Sequence, residues 1–487
     1  MLSRPSRPRT MRESWLALTG LSLVFLFEML DNSILNVALP TIGRDLNATT
    51  TAVQWVTAAY AVVFGGLMLI FGTLADRIGR RRIMLLGLVL LGVASLATAL
   101  VTTVGELIAV RAVMGVAAAM TAPGTLALAF RLFDEEAQRL RAMTIISTVG
   151  LVGLAIGPLA GGLALGSMPW QTLLLVNVPV AAIAWLAIRA GVPADRPDEL
   201  HRGPVDGWGA LLGTGAILAA LLAPTLFVDV GAGSWAPWAG VAAAVLLGVA
   251  FVARERRFLH PILDLALIAR PLVASGLAFK AAANLAVAGL GYLVTLQLQL
   301  AWGWTPAQAA IGMLPQVVVL IAGGAVIGVV VRRWGIGRAA VFSALAVVAG
   351  LAVYAFLGGA GYVWVAIALA LVAGGMRLIG VVAGNNVMKG VPADRTTLGA
   401  ALADTAGEVA TATGVALSGT ILATMFTGRL AAGAWTAAQA ADFTAGLRWG
   451  GIGLVVAAAL LVGVGMVWTR RGSDAPTAAP GRFRQDA

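Results

Sequence analysis

The sequence predicts an all-α, polytopic membrane protein of fourteen transmembrane helices, and three observations carry that prediction. Hydrophobic residues make up 60% of the 487 and charged residues only 11%, whereas a soluble globular chain carries roughly 25% charged residues. Such a chain cannot cover its own surface in water, and its mean hydropathy of +0.92 agrees. The apolar residues fall in runs of about 20, the length that spans a hydrocarbon core about 30 Å thick. Arginine and lysine then crowd into alternate loops, as the positive-inside rule requires of a chain that crosses repeatedly.

The runs lie near 15–38, 53–74, 83–103, 105–129, 142–166, 170–190, 208–228, 235–253, 272–299, 306–330, 338–358, 361–387, 398–425 and 446–469. Trp15, Trp55, Trp170, Trp208, Trp235, Trp302, Trp334 and Trp468 stand near their edges, as an aromatic belt does. With the N-terminus inside, the inner loops hold Arg77 to Arg82, Arg131, Arg139 and Arg141, then Arg189, Arg196, Arg202, Arg254, Arg256, Arg257 and Arg270. Arg332, Arg333, Arg338, Lys389, Arg395 and the arginines of the tail follow on the same side, leaving Arg44, Arg429 and Arg448 outside. One missed span would scramble that alternation. An even count, with both termini cytoplasmic in a cell membrane, is expected. The basic head MLSRPSRPRTMR looks like the start of a signal peptide, but the span behind it is long and carries Glu28 and Asp31, so it is expected to be retained.

A faint internal repeat divides the chain. Residues 324–338, GAVIGVVVRRWGIGR, follow span ten as 66–80 follow span two, which predicts two six-helix bundles in parallel repeat with two inserted helices between them. The expected units are a tail over 1–14, a bundle over 15–190, a linker with the inserted helices over 191–271, a second bundle over 272–469 and a tail over 470–487. The segment 426–445 is expected to include a short interfacial helix.

Composition excludes several functions. There is no cysteine, hence no disulfide or thiolate site, and His201 and His260 are the only histidines. No metal and no cofactor are expected. The net charge of +11 sits in orientation-setting loops, which argues against nucleic acid. No G-x-x-x-x-G-K-[ST] string provides a nucleotide site, and no H-E-x-x-H or G-x-S-x-G string provides an enzyme's constellation. A small-molecule substrate, protons and the lipid bilayer are the expected partners; oligomeric state is not readable.

Ionisable residues inside spans carry the functional information, because burying one in hydrocarbon costs roughly 2.5–3.5 kcal/mol on insertion scales. Seven stand out: Glu28 and Asp31, Arg111, Lys280, Arg377, and Asp404 and Glu408. Glu28/Asp31 at i,i+3 and Asp404/Glu408 at i,i+4 each present two carboxylates on one helical face. At ~1.5 Å per residue, Asp31 and Arg111 reach similar heights in the outer half, and Lys280, Arg377, Asp404 and Glu408 fall in the inner half. Two layers are therefore expected: an outer Glu28/Asp31–Arg111 site and an inner Lys280/Arg377–Asp404/Glu408 site. Two close carboxylates in a low dielectric cannot both ionise cheaply, so an arriving organic cation would displace a proton. Buried acid–base pairs can equally serve to hold helices in register, and Lys280 and Arg377 lean that way.

Two glycine-containing stretches complete the pattern. The run Gly72 to Arg82, GTLADRIGRRR, sets Asp76 among Arg77, Arg80, Arg81 and Arg82, and Gly72 and Gly79 are expected to let the backbone turn and the helices approach. In span five, Gly153, Gly157, Gly161 and Gly162 make a flat face, and Pro158 bends the helix. A generic packing face does not explain why Gly157-Pro158 is followed, after two residues, by Gly161-Gly162.

Together these strings resemble the fourteen-span drug:proton antiporter branch of the major facilitator superfamily. The 72–82 string resembles its signature loop, LDNSILNVALP from Leu30 its first-span motif and RAVMG from Arg111 its fourth-span R-x-x-x-G element. GLAIGPLAGG from Gly153 resembles its antiporter motif. Gln54, Trp55, Tyr60 and Asn177-Val178-Pro179 also sit as they do there. The resemblance implies the major facilitator fold, a cytoplasmic gate at Gly72, Asp76, Arg77, Gly79, Arg80 and Arg81, proton transfer through Arg111, and proton-coupled efflux of lipophilic or cationic drugs by alternating access. Met114, Ala117, Lys280, Asp404 and Glu408 depart from the family pattern, which leaves the substrate open. A proton-coupled importer or dedicated metabolite exporter is the nearest alternative, and a passive channel a more distant one.

Overall fold

The structure is a computed structural model that describes residues 11–133, 135–195, 206–231, 233–258, 265–391, 396–426 and 435–473. It is helical, with no strand among those residues. The first group of helices is α1 (Trp15–Asp45), α2 (Thr50–Ile78), α3 (Arg80–Ala97), α4 (Val104–Leu132), α5 (Glu136–Ala164), α6 (Gln171–Leu175) and α7 (Asn177–Gly191). A pair follows, α8 (Gly207–Val230) and α9 (Trp235–Arg257), and then the short α10 (Leu265–Ile268). The last group is α11 (Pro271–Leu296), α12 (Pro306–Gly312), α13 (Leu314–Leu357), α14 (Tyr362–Gly390), α15 (Thr396–Met425) and α16 (Ala437–Ser473).

Among the described residues, thirteen helices are long and apolar enough to cross a membrane. The remaining expected span, 208–228, is α8, whose apolar run Gly207–Ala223 is shorter. Of the expected segment 426–445, residues 427–434 lie outside the described residues, and 437–445 are the start of α16 rather than a separate interfacial helix. The connector's His201, His260, Arg196 and Arg202 and most of both tails lie outside the described residues.

Helix starts follow local chemistry. The Thr49 hydroxyl accepts from the Ala52 amide, Thr103 forms a capping box with Glu106, and Asp206 accepts from the Gly209 amide to cap α8. Each satisfies a donor that the first helical turn leaves unpaired.

The loop expected over Gly72 to Arg82 is far shorter than its hydrophilic length implied. α2 continues through Ile78, α3 begins at Arg80, and Gly79 alone makes the turn, at φ 120°. Gly72 is a helical residue beside Pro123, not a turn residue. In the second half the corresponding break within α13 is again one glycine, Gly335, at φ 74°. That is two positions ahead of Gly337, which the sequence repeat sets opposite Gly79.

α1 packs on α5, α7 and α4, and α2 and α3 pack on α4; α11 packs on α14, α15 and α16, and α13 on α14. The two groups meet along α2 with α15 and along α5 with α12 and α13. α8 and α9 form a hairpin, with α8 seated on α2 and α15 and α9 exposing Trp235, Leu246 and Val249. At the end away from the termini, hydrogen bonds cross between the groups. Gln54 donates to the Ala416 carbonyl at 3.2 Å, and Gln299 to the Val37 carbonyl at 2.7 Å.

Candidate functional site

Asp31 on α1 and Arg111 on α4 form a buried ion pair, Nη1 to Oδ2 at 2.5 Å, with exposures of 0% and 1%. Arg111 Nε also donates to the Val56 carbonyl at 3.2 Å, and its guanidinium lies 4.4 Å from the Tyr60 ring centre. Asn177, at the start of α7, donates to the other Asp31 oxygen at 3.3 Å. Asp31 and Arg111 are thus braced by four helices of the first group. The spacing R-x-x-x-G has a physical reason here. Gly115 lies one turn beyond Arg111, and a Cβ there would come 2.7 Å from the Tyr60 carbonyl, so the bare backbone lets α4 close on α2 and carries Arg111 to Val56.

Glu28 does not join that pair, contrary to the expected outer layer. It is 7% exposed and lies within electrostatic reach of Glu408, Asp404 and Lys280 of the second group. Residues three apart on a helix differ by about 60° in direction, so at a junction Glu28 and Asp31 face different neighbours. Lys280 on α11 pairs with Asp404 on α15 at 3.7 Å, and their side chains are 32% and 42% exposed. Glu408, one turn on, is 8% exposed, and its Oε2 has no hydrogen-bond partner. Gly407 permits this packing, since a Cβ there would meet Lys280 and Asn284 of α11. The result is three carboxyls and one ammonium drawn from both groups of helices. Tyr60 lies within reach of Asp31, Arg111, Glu28 and Glu408, between this cluster and the buried pair.

Arg377 is also misplaced by the expected inner layer. On α14 it pairs with neither acid, lies beside Gly323 of α13, and leaves its Nε without a partner. Height along a helix was legible in the sequence; the direction in which α14 turns Arg377 was not.

The glycines of span five divide their work. Gly153, Gly157 and Gly161 receive Leu26, Ser33 and Ile34 of α1, while Gly162 receives Pro306 and Ala310 of α12. Adjacent residues on a helix point about 100° apart, so Gly161-Gly162 serves two interfaces at once: one inside the first group, the other between groups. Pro158 is buried within α5.

At the termini-bearing end, an acid unnoticed in the sequence organises the signature loop. Asp195, beyond α7, accepts from the Arg81 and Arg82 amides at 3.3 and 3.2 Å, capping α3. It also pairs with Arg131 at 3.3 Å. Arg81 donates to the Arg189 carbonyl at 2.6 Å, Arg77 is exposed, and Arg80 stands at the first position of α3. The side chain of Asp76 lies outside the described residues. The only hint of Asp195 was an acid in the linker a few residues past a span, which by itself reads as solvated charge.

The Major Facilitator Superfamily model matches residues 21–415. The chain is 31% identical over 432 residues to the methyl viologen resistance protein SmvA of Salmonella typhimurium, spanning 87% of this chain and 86% of that protein. It is 28% identical over 423 residues to the multidrug efflux pump LfrA of Mycolicibacterium smegmatis, spanning 87% and 83%. A POT family transporter solved in complex with a thioalcohol-conjugated peptide matches with a TM-score of 0.65 at 14% identity, over 94% of this chain and 96% of that one; a likeness at that identity shows the fold. The chain therefore belongs to the Major Facilitator Superfamily and is a multi-pass membrane transporter, not an enzyme.

Proposed function

We propose that this transporter exports lipophilic organic cations in exchange for protons, by alternating access. The observation that carries it is the cluster of Glu28, Asp404, Glu408 and Lys280, three carboxyls against one ammonium, contributed by both groups of helices. A cation entering it offsets the carboxylates and displaces a proton, so one set of oxygens is occupied by turns. The driving force is roughly 2.3 kcal/mol per charge per 100 mV and about 1.4 kcal/mol per pH unit. Asp31 and Arg111 form the second station, with Tyr60 between.

The likeness to proteins named for methyl viologen resistance and multidrug efflux supports export. The arginine pattern supports placing both termini in the cytoplasm, with the chain in the cell membrane. Residues 15–190 and 272–469 then act as the two rocking bundles, 191–271 carries the inserted pair, and 1–14 and 470–487 are tails. The cross-bundle bonds of Gln54 and Gln299 correspond to a state shut on the outer side, in which Lys280 and Asp404 are reached from the cytoplasm. The 72–82 turn, held by Asp195, serves as the cytoplasmic gate, and Gly162 of span five lies on the surface where the bundles close, while Gly153, Gly157 and Gly161 seat α1 within the first bundle.

Everted vesicles test this. Added ethidium or tetraphenylphosphonium should draw down an imposed pH gradient; uptake that proceeds without any gradient would point to a channel, and no response to either cation would end the proposal.

A further inference from the structure

An apolar cavity of about 590 Å3 lies where α8 crosses the seam of α2 and α15, with α11 as its floor. Small-molecule sites usually occupy ~300–1,000 Å3. Among its described lining side chains only three are polar, Thr214, Thr405 and Thr413. Thr214 donates to the Gly66 carbonyl at 2.8 Å and Thr413 to the Val409 carbonyl at 2.7 Å. The Thr405 hydroxyl is buried without a partner, so of the three it is the one whose proton is uncommitted, whereas Thr214 and Thr413 can only accept.

The cavity abuts the acid cluster. Thr405 stands between Asp404 and Glu408 on α15, and Gly65 lines the cavity while its other side meets the Glu408 stem; a Cβ there would lie 3.1 Å from that of Glu408. The next residue, Gly66, admits α8, since a Cβ would come 3.0 Å from the Thr214 methyl. Two glycines thus thin the α2 wall between an apolar chamber and an excess of carboxylates.

We propose that this chamber holds the apolar body of a lipophilic cation arriving from the bilayer beside α8, with its charge directed to Asp404 and Glu408. The inserted helix is then the outer wall of a side pocket. Transfer from lipid to such a chamber keeps the apolar body out of water, and the cluster supplies the complementary charge that selects a cation. This rests on the efflux proposal and adds an entry site to it.

Photolabelling with azido-ethidium in nanodiscs tests it, together with everted-vesicle transport. Label should fall on peptides from α8 and α15 and be competed by tetraphenylphosphonium. Ala281→Phe and Ala406→Phe, which fill the chamber, should each lower labelling and raise the ethidium KM by about tenfold, the equivalent of roughly two methylenes of lost burial. Thr405→Val, close to isosteric, should raise KM a few-fold at unchanged melting temperature, which keeps the test readable where a filled variant does not fold. Transport intact with label confined to α1 and α4, or with KM unchanged in both filled variants, overturns the side pocket and leaves efflux standing. A co-purified phospholipid that ethidium does not displace overturns it likewise, naming a lipid as occupant. A wild-type protein that neither draws on the gradient nor takes label ends both.

Discussion

Glu28 of α1 and Glu408 of α15 lie within electrostatic reach of one another across the boundary between the two groups of helices, each less than a tenth exposed. Like charges within reach of one another and so poorly solvated cannot both be kept ionised cheaply. Because the two carboxyls belong to different bundles, the proposed rocking would change their separation, and with it their joint hold on a proton. In the proposed cycle that dependence ties proton uptake to movement.

Glu28→Gln and Glu408→Gln should therefore each slow proton-coupled ethidium export by at least about tenfold. The double variant should do little worse than the weaker single, because groups acting as one unit are not additive. Initial rates of gradient collapse in everted vesicles measure this. Strictly multiplicative losses would show two independent sites.

The Asp31–Arg111 pair gives a different expectation. Asp31→Asn keeps an oxygen for Arg111 but sets an amide donor against Asn177 and removes the charge, leaving a cation 1% exposed without its counter-ion. Removing one partner of a buried pair costs about 3–5 kcal/mol. Asp31→Asn should insert, melt at a lower temperature and lose coupled transport. Adding Arg111→Gln should restore much of the melting temperature in detergent while transport stays absent. Transport surviving in the single variant would leave the pair a structural brace only.

Much of this was legible in the sequence because the bilayer imposes it. Span length, loop charge and the heights of Asp31 and Arg111 follow from a 1.5 Å rise and a fixed core thickness. What the sequence did not show depends on azimuth and on distant partners. Height alone puts Glu28 in the outer layer and Arg377 in the inner one, whereas α1 and α14 turn them elsewhere. Asp195 was hidden because a cap donated from a hundred residues away leaves no local spacing to detect. Gly72 reads as a turn residue but serves only the helix approach, beside Pro123, because glycine inside a membrane helix and glycine in a turn look alike in sequence.

Asp195 makes the signature loop testable at the termini-bearing end. Asp195→Ala removes the acceptor of two α3 amides and the partner of Arg131, so about 1–2 kcal/mol of stability should go. Arg131→Ala should cost less, since Asp195, itself 3% exposed, keeps the two α3 amides that satisfy it. Gly79→Ala should be worse than either, combining φ 120° with a Cβ driven into the Asp195 carboxylate. Thermal melting of the purified protein orders the three, and Gly79→Ala at wild-type stability would exclude the single-residue turn.

The divided glycines of α5 separate folding from gating. Gly157 meets Ser33 within one bundle, whereas Gly162 meets Pro306 and Ala310 of the other. Overpacking a close interface costs typically about 1–3 kcal/mol, but the consequence differs with the interface. At Gly157 the strain is present in every state, so Gly157→Ala should lower the melting temperature. At Gly162 it is relieved whenever the bundles part at the end away from the termini, so Gly162→Val should fold, lose transport and hold that end open. The native chain has no cysteine, so a single Thr420→Cys beside Gln54 reports on that opening. An impermeant maleimide added from the outer side should modify it several-fold faster in the Gly162→Val background than in the native one. Equal rates, with transport lost, would mean that Gly162 matters only for packing and that the bundles do not separate there.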